Sequence, residues 1–146
     1  MTKSNTIPVT WDEIHRQARA LAERIRNRGV WTRVIGIARG GLVPAAILAK
    51  ELDIRVIESI SIASYEGRVR GEVKILRGPD GGDGGDTIVV DDVVDSGETI
   101  RAVRALLPRA FYVAVYAKPA GKPIVDAFAV EVDQESWLEF PWEAAP

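Results

Sequence analysis

The sequence predicts an α/β fold in which a mainly parallel central sheet is flanked by helices. The main observation is that short apolar segments typical of buried strands alternate along the chain with helical segments. The second is that polar or glycine-rich turns join two of these strands directly to the helix that follows. The third is the length of 146 residues. Since that length suits one domain with a substantial core, residues 1–146 are expected to form a single domain.

The first helix is predicted from the signal at its start. Thr10 and Glu13 have the spacing of a capping box, and apolar residues then recur at helical spacing from Ile14 to Ile25. Gly29 is placed to end this helix. The later elements are expected in this order: a strand over residues 34–38, a helix ending at Leu52, strands over 54–62, 73–76 and 87–90, a helix over 96–107, and strands over 111–117 and 128–132.

Two further stretches are predicted to be flexible. The polar segment at about 64–74, which contains Ser64 and Tyr65, is expected to form a mobile loop or a hairpin. Residues 78–86 contain five glycines, three aspartates and one proline. Because such a composition offers nothing that can pack, this segment is expected to be a flexible surface loop.

The charge balance restricts the partners. The chain has 19 basic and 21 acidic residues and a formal net charge of −2, so a general nucleic-acid binder is not expected. The one basic cluster lies on the first helix, where a solvated face is the simpler interpretation; it comprises Arg16, Arg19, Arg24, Arg26 and Arg28.

The residue types available also restrict the chemistry. The chain has no cysteine and one histidine, His15, so thiolate sites and cysteine nucleophiles are excluded, and histidine clusters and Ser–His–Asp triads almost so. No signal peptide is predicted, and the longest apolar stretch falls far short of the roughly 20 residues of a membrane span. We expect a cytoplasmic location, with loose association with the inner face of the cell membrane left open.

The strongest functional signal follows the strand predicted at residues 87–90. Asp91 and Asp92 are adjacent carboxylates at the carboxyl end of this strand, where open α/β sheets bind ligands. Ser96, Gly97 and Thr99 follow in a turn that leads into a helix, whose unpaired amides suit a phosphate. Carboxylates that hold sugar hydroxyls or Mg²⁺, beside a phosphate cradle, suggest a phosphorylated sugar as ligand.

A purely structural interpretation explains only part of this motif. An Asp-Ser-Gly turn before a helix is often a simple N-cap. Two carboxylates side by side after a buried strand are harder to explain in that way, because clustered negative charge is unfavourable without a compensating cation or ligand. A receiver domain also carries an acidic pair, but there the pair follows the first strand, so that interpretation is poor.

Several segments in order resemble the purine type I phosphoribosyltransferases. They read VTWDEIHRQARALA, ARGGLVPAAILAKELDIR, the SY pair, VVDDVVDSGET, YAKPAGKP and SWLEFPW, and they span nearly the whole chain. The similarity is greatest to bacterial members that act on xanthine and guanine. It implies the type I phosphoribosyltransferase fold, with a mobile loop or hood over the site.

The resemblance also implies roles for the matching residues. Asp91 and Asp92 would engage the ribose hydroxyls, with Asp92 as a Mg²⁺ ligand, and Asp95 would act as general acid or base at purine N7. The full set implied to bind phosphoribosyl pyrophosphate is Arg39, Gly40, Arg70, Gly71, Asp91, Asp92, Val93, Val94, Asp95, Ser96, Gly97, Glu98 and Thr99.

The purine would be held by a second group of residues. Lys118 would contact purine O6, Trp137 would stack on the base, and the Leu138 carbonyl would face the group at C2. Without the resemblance, Lys118 would be read as solvated at a strand end and Trp137 as a core residue. Gly71 stands where the similar family member has an arginine, so the pyrophosphate contact there would shift to Arg70 or Arg68 or be weakened.

The implied activity is Mg²⁺-dependent transfer of phosphoribose to guanine or xanthine, with hypoxanthine used less well, giving GMP or XMP. One alternative is an enzyme that prefers hypoxanthine. Another is a nucleotide-sensing regulator with the same fold. A homodimer or homotetramer is expected from the resemblance.

Overall fold

The computed structural model describes residues 6–64, 73–77 and 82–143. The predicted helices and strands occur in the predicted order, together with two strands, the first and the last, that were not predicted. They are β1 (Thr6–Pro8), α1 (Trp11–Ile25), β2 (Arg33–Ala38), α2 (Leu42–Glu51), β3 (Val56–Ser64), β4 (Val73–Arg77), β5 (Thr87–Val94), α3 (Glu98–Arg104), β6 (Phe111–Ala117), β7 (Ala127–Glu131) and β8 (Trp137–Glu139), with short 3-10 helices at Lys122–Ile124 and Pro141–Glu143.

The central sheet has the strand order β4-β3-β2-β5-β6-β7. Five of its strands are parallel, and only β4 runs antiparallel, beside β3. At the centre, Val90 of β5 pairs with Gly36 of β2 and with Val113 of β6. The prediction of a mainly parallel α/β fold is confirmed.

Both faces of this sheet are covered by packed apolar side chains. On one face, Leu21 of α1 and Leu48 of α2 pack into a buried cluster with Val90. On the other, Ile100 of α3 packs into a second cluster with Val89. Neighbouring residues of β5 thus face opposite layers, which explains why the strand reads as a continuous apolar segment.

A second, two-stranded sheet was not predicted. β1 and β8 pair in parallel, with Ile7 opposite Leu138. Each strand has three residues, too few to produce a visible periodicity in the sequence. This pairing joins the start of the described chain to the segment that carries the predicted base-stacking residue.

The start of α1 agrees with the sequence, but its end does not. The Thr10 hydroxyl accepts a hydrogen bond from Glu13 N at 3.1 Å. The Glu13 carboxylate does not complete the capping box, because it accepts bonds from Arg16 and Gln17 instead. The helix ends at Ile25, before Gly29, because Ile25 is its last buried residue and the residues after it are exposed.

Two predicted boundaries near the acidic motif were wrong. β5 does not stop at residue 90 but continues through Asp91 and Asp92 to Val94, pairing with β6 as far as Ala117. α3 covers Glu98–Arg104 rather than residues 96–107. Gly97 has a φ of 91°, and this left-handed conformation prevents the helix from beginning at Ser96.

The described part of the Gly/Asp segment is anchored rather than free. Asp83 O accepts a hydrogen bond from Arg109 N at 2.9 Å, and Asp86 O accepts one from Thr32 N at 2.9 Å. The Thr32 hydroxyl also donates to the Asp86 carboxylate. Residues 82–86 are thus tied to neighbouring segments by backbone and side-chain hydrogen bonds. Flexibility of the 78–86 loop stays a prediction, and residues 78–81 lie outside the described residues.

The predicted mobile loop is only partly described. Its ends belong to strands, since Ser64 closes β3 and pairs with Val73 of β4. Mobility of the segment at about 64–74 stays a prediction. Tyr65, Arg70 and Gly71 lie outside the described residues.

The arginines of the first helix are engaged with nearby groups. Arg19 pairs with Glu51 at 3.1 Å, and Arg16 and Arg26 pair with acidic residues of α1 itself. Arg24 donates to the Phe128 carbonyl at 2.6 Å. The positive charge of this face is thus largely compensated. Within the described part of the chain, no helix has the length and apolar character needed to cross a bilayer.

Two buried tyrosines on β6 give a test of the packing. Tyr112 donates its hydroxyl to Leu107 O at 2.8 Å, whereas the buried Tyr116 hydroxyl has no partner among the described residues. Tyr112→Phe is expected to lower the free energy of unfolding by about 1 kcal/mol, because it removes a buried hydrogen bond. Tyr116→Phe is expected to leave that free energy unchanged or to raise it by about 1 kcal/mol, because it removes an unpaired polar group.

Thermal unfolding of the two variants checks this prediction. A difference of 1 kcal/mol corresponds to a Tm change of about 2–4 °C in a domain of this size. Equal destabilisation by both substitutions would contradict the described hydrogen bonding.

Candidate active site

The predicted site residues meet at one edge of the sheet because β2, β5 and β6 are parallel neighbours. Their carboxyl ends therefore lie side by side, and the loop after each strand reaches the same space. These loops begin at Arg39, Asp95 and Lys118. Residues far apart in the sequence are thus brought together by strand order alone.

The loop after β2 lies directly against β5. A Cβ at Gly40 would collide with the Asp92 carboxylate, and a Cβ at Gly41 would collide with the Val90 carbonyl. Only glycine permits this approach. The peptide bond between Ala38 and Arg39 at the start of the loop is cis, and the Arg39 side chain is exposed.

Asp91 and Asp92 lie partly buried in the carboxyl-terminal half of β5. Asp92 N donates to Asp91 Oδ1 at 2.8 Å, and Val93 N donates to Asp92 Oδ1 at 2.7 Å. Burial raises the pKa of Asp91 well above its usual range, and the neighbouring Asp92 charge raises it further. Burial also raises the pKa of Asp92, with a smaller contribution from the Glu143 charge. Such a pair favours a cationic or hydrogen-bonding ligand.

The turn after β5 is shaped by a glycine in the left-handed conformation. Gly97 is buried in the left-handed conformation, and a Cβ there would lie 2.6 Å from Ile124 Cγ1. Ser96 and Glu98 are exposed on either side of it, and Thr99 is half-buried. Glu98 thus points toward solvent, as expected for an acidic residue in such a loop.

Asp95 and Lys118 form the central ion pair of this edge. Lys118 Nζ lies 3.3 Å from Asp95 Oδ2, and the lysine side chain is 10% exposed while the aspartate side chain is 60% exposed. The lysine is therefore not solvated at a strand end, contrary to the simpler interpretation of the sequence. Its charge is directed at a carboxylate that faces solvent.

The backbone holds the same pair of loops together. Lys118 N donates to Val94 O at 3.0 Å. A Cβ at Gly121 would lie 2.7 Å from Val94 O and 2.8 Å from Asp95 O. Gly121 therefore allows the turn after β6 to rest on the end of β5, a role that sequence reasoning did not assign.

Gln134 is a second residue that sequence reasoning missed. Its Nε2 donates to Asp95 Oδ1 at 2.7 Å, and its Oε1 accepts from Ala120 N at 2.8 Å. The two residues of the first bond are 39 positions apart, and no local pattern joins them. The one sequence signal for Gln134 is that it lies two positions before Ser136, where the segment SWLEFPW begins.

The segment predicted to bind the base contains Trp137 and Leu138 and comes shortly after Gln134 in the sequence. Trp137 is 50% exposed and opens β8, whereas the Leu138 side chain is buried in the core. Upstream of this segment, Val132 N donates to Ala117 O at the end of β6 at 3.0 Å. Because half of its surface is exposed, Trp137 is not a core residue.

The carboxylates of Asp91 and Asp92 fit a Mg²⁺ site in which substrate oxygens complete the coordination. Asp91 and Asp92 provide the hard oxygen ligands that Mg²⁺ prefers. Among the described residues, no three acidic or histidine side chains are grouped closely enough to hold a metal by themselves. Magnesium bound with phosphorylated substrates commonly uses one or two carboxylates and completes its coordination with phosphates and waters.

This fold and this edge define a phosphoribosyltransferase. The chain belongs to the phosphoribosyl transferase domain family, whose model matches residues 10–146. The resemblance seen in the sequence is confirmed, and the chain is an enzyme of this transferase class.

Several members of this family are similar to the chain over most of its length. The chain is 48% identical to a xanthine-guanine phosphoribosyltransferase of Desulfotalea psychrophila, with 94% of this chain and 86% of that protein covered. It is 47% identical to one of Cereibacter sphaeroides, with the same coverage. Among solved structures, a purine phosphoribosyltransferase from Pyrococcus horikoshii matches with a TM-score of 0.82 and 29% identity, covering 97% of this chain and 96% of that one.

Two adjacent glycines test the packing of the β2 loop. At Gly41 the added methyl group of an alanine would meet backbone atoms of β5 and lie 2.8 Å from Ile37 N, so Gly41→Ala is expected to destabilise the protein by about 1–3 kcal/mol or more. At Gly40 it would meet the end of the Asp92 side chain, which can rotate away, so Gly40→Ala is expected to cost less stability. Chemical denaturation of both variants measures the difference; a Gly40→Ala variant that is the less stable of the two would contradict the described approach.

Proposed function

We propose that this enzyme transfers the 5-phosphoribosyl group of phosphoribosyl pyrophosphate to N9 of guanine or xanthine, and less well to hypoxanthine. The products are GMP or XMP and pyrophosphate. The observation that carries the choice of base is the Asp95–Lys118 pair, in which a carboxylate and an ammonium group lie 3.3 Å apart at the ligand-binding edge. The names of the relatives at 48% and 47% identity support the same substrates.

The chemistry of this pair matches one edge of a 6-oxopurine. N7 and O6 are neighbours on that edge, and both accept hydrogen bonds in a nucleotide. Lys118 has only donors and suits O6, whereas the amino group of adenine would present a further donor. Asp95 would accept the N7 proton of the free base as the N9 bond forms. Trp137 would stack on the ring, and the Leu138 carbonyl would accept from the group at C2.

The phosphoribosyl pyrophosphate would lie across the loops after β2 and β5. Asp91 and Asp92 would bind the ribose hydroxyls, and Arg39 and Gly40 would contact the pyrophosphate. The 5′-phosphate would lie in the loop formed by Val93, Val94, Asp95, Ser96, Gly97, Glu98 and Thr99. Its exposed hydroxyl and amide groups support this role.

The transfer needs no covalent nucleophile. Positive charge develops on the ribose as the pyrophosphate leaves, and negative charge develops on the leaving group. Mg²⁺, held by Asp92 together with substrate oxygens, would supply charge stabilisation for the pyrophosphate. The Arg39–Gly40 loop would orient that group, and Asp95 would hold the proton that the purine releases.

Several broader expectations belong to this proposal. Residues 1–146 would act as one domain, and the polar segment around Ser64 and Tyr65, with Arg70 and Gly71, would close over the site. The enzyme would work in the cytoplasm as a homodimer or homotetramer. The compensated arginines of α1 support a small-molecule substrate rather than nucleic acid as the partner.

A steady-state assay tests the proposal. Phosphoribosyl pyrophosphate and Mg²⁺ are supplied with guanine, xanthine, hypoxanthine or adenine, and pyrophosphate release is followed. Guanine and xanthine are expected to have the highest kcat/KM, and adenine no measurable turnover. A preference for hypoxanthine would indicate the alternative enzyme, which prefers that base. Absence of turnover with every base would favour the nucleotide-sensing regulator.

Lys118→Ala tests how the base is selected. Loss of the donor to O6 is expected to lower kcat/KM for guanine by about 10–100-fold, the effect of a lost charged hydrogen bond. The ratio of 6-oxo to 6-amino purine use should fall with it. Lys122→Ala is the control, because Lys122 Nζ pairs with Glu131 and not with Asp95. Unchanged selectivity in Lys118→Ala would remove Lys118 from the base site.

A further inference from the structure

Gln134 connects the two turns that form the proposed base site. Its Nε2 donates to Asp95 Oδ1 at 2.7 Å, and its Oε1 accepts from Ala120 N at 2.8 Å. A backbone N–H only donates and a carboxylate only accepts, so one orientation of the amide satisfies both partners and the flipped orientation satisfies neither. The Ala120 N–H therefore fixes the Gln134 amino group toward Asp95.

This contact matters because Asp95 has little else to hold its carboxylate in place. The side chain is 60% exposed, and a free aspartate at a loop position samples several rotamers. Among the described residues, Lys118 contacts Oδ2 and Gln134 contacts Oδ1. In the proposed function Lys118 also donates to the purine, so its contact with Asp95 competes with the base. The contact between Gln134 and Asp95 does not compete with the base, because the proposed function assigns Gln134 no hydrogen bond to the purine.

Gln134 also lies on the segment that carries the stacking residue. It lies within a turn closed by Ser136 N donating to Asp133 O at 3.0 Å, and it precedes Trp137 by three positions. A single side chain therefore ties the carboxylate on one side of the base site to the aromatic segment on the other.

We propose that Gln134 is a positioning residue, which holds the Asp95 carboxylate oriented toward purine N7 and sets the distance between Asp95 and the Trp137 segment. The inference rests on the proposed function, since it names a further residue of the same site. It differs from that function in assigning a role to a residue that contacts neither the purine nor the pyrophosphate.

Two substitutions distinguish the hydrogen bond that Gln134 donates to Asp95 from the one that it accepts from Ala120 N. Gln134→Glu keeps the side-chain length and an oxygen for Ala120 N but replaces the donor with a carboxyl group. Gln134→Leu removes both bonds. Glu135→Gln is the matched control, because this exposed neighbour lies in the same segment. All variants are compared with the wild-type protein for kcat, both KM values and thermal unfolding, with guanine, Mg²⁺ and phosphoribosyl pyrophosphate.

The expected result is a selective loss in turnover. Gln134→Glu is expected to lower kcat by about tenfold or more at pH 7.5, with the KM for phosphoribosyl pyrophosphate within about twofold of wild type. Relative to wild type at the same pH, this loss should shrink toward pH 5.5, because the neighbouring Asp95 charge raises the pKa of the introduced carboxyl group and its protonated form can donate to Asp95. Gln134→Leu should show a loss that does not recover with pH, and Glu135→Gln should behave as wild type.

Other results overturn the inference. Wild-type kcat in both Gln134 variants would show that Asp95 is positioned without this contact. A uniform loss in kcat, in both KM values and in thermal stability would show a merely structural role. A wild-type protein with no turnover would overturn the proposed function and the inference with it, and the wild-type arm of the experiment identifies that case.

Discussion

The architecture of the site depends on how the turn after β6 rests on the end of β5. The Lys118 N–H donates to Val94 O, and Gly121 leaves room for the Val94 and Asp95 backbones to lie against the turn. This packing buries the lysine stem and brings its ammonium group to the exposed Asp95 carboxylate. Were the two loops further apart, this charged pair could not form. The order of parallel strands in the sheet sets this distance.

The same edge places a second kind of chemistry beside the first. Asp91 and Asp92 lie partly buried in β5, and burial disfavours their charged forms. The β2 loop closes on Asp92 at Gly40, so this carboxylate is held between two strands. The edge thus combines two partly buried carboxylates with the hydrogen-bonding pair of Asp95 and Lys118. In the proposed function, the two carboxylates would bind the charged sugar phosphate and the pair would bind the base.

The sequence predicts the parts of this arrangement that are local. Asp91, Asp92 and the turn to Gly97 form one continuous motif, and alternating strands and helices predict the parallel sheet. The contacts between distant segments could not be predicted in this way. Gln134 reaches Asp95 from 39 positions away, and the β1–β8 pair has too few residues to show a pattern. The anchoring of residues 82–86 was missed because it uses backbone groups, which composition does not reveal.

Asp95→Asn compared with the wild-type protein tests whether Asp95 acts as the general acid or base of the transfer. The Kd for phosphoribosyl pyrophosphate with Mg²⁺ and the kcat for guanine are measured for both proteins. We predict a Kd within about threefold of wild type and a kcat lower by about 100-fold or more, the usual effect of removing a general acid or base. Equal losses in binding and turnover, or an unchanged kcat, would contradict this role for Asp95.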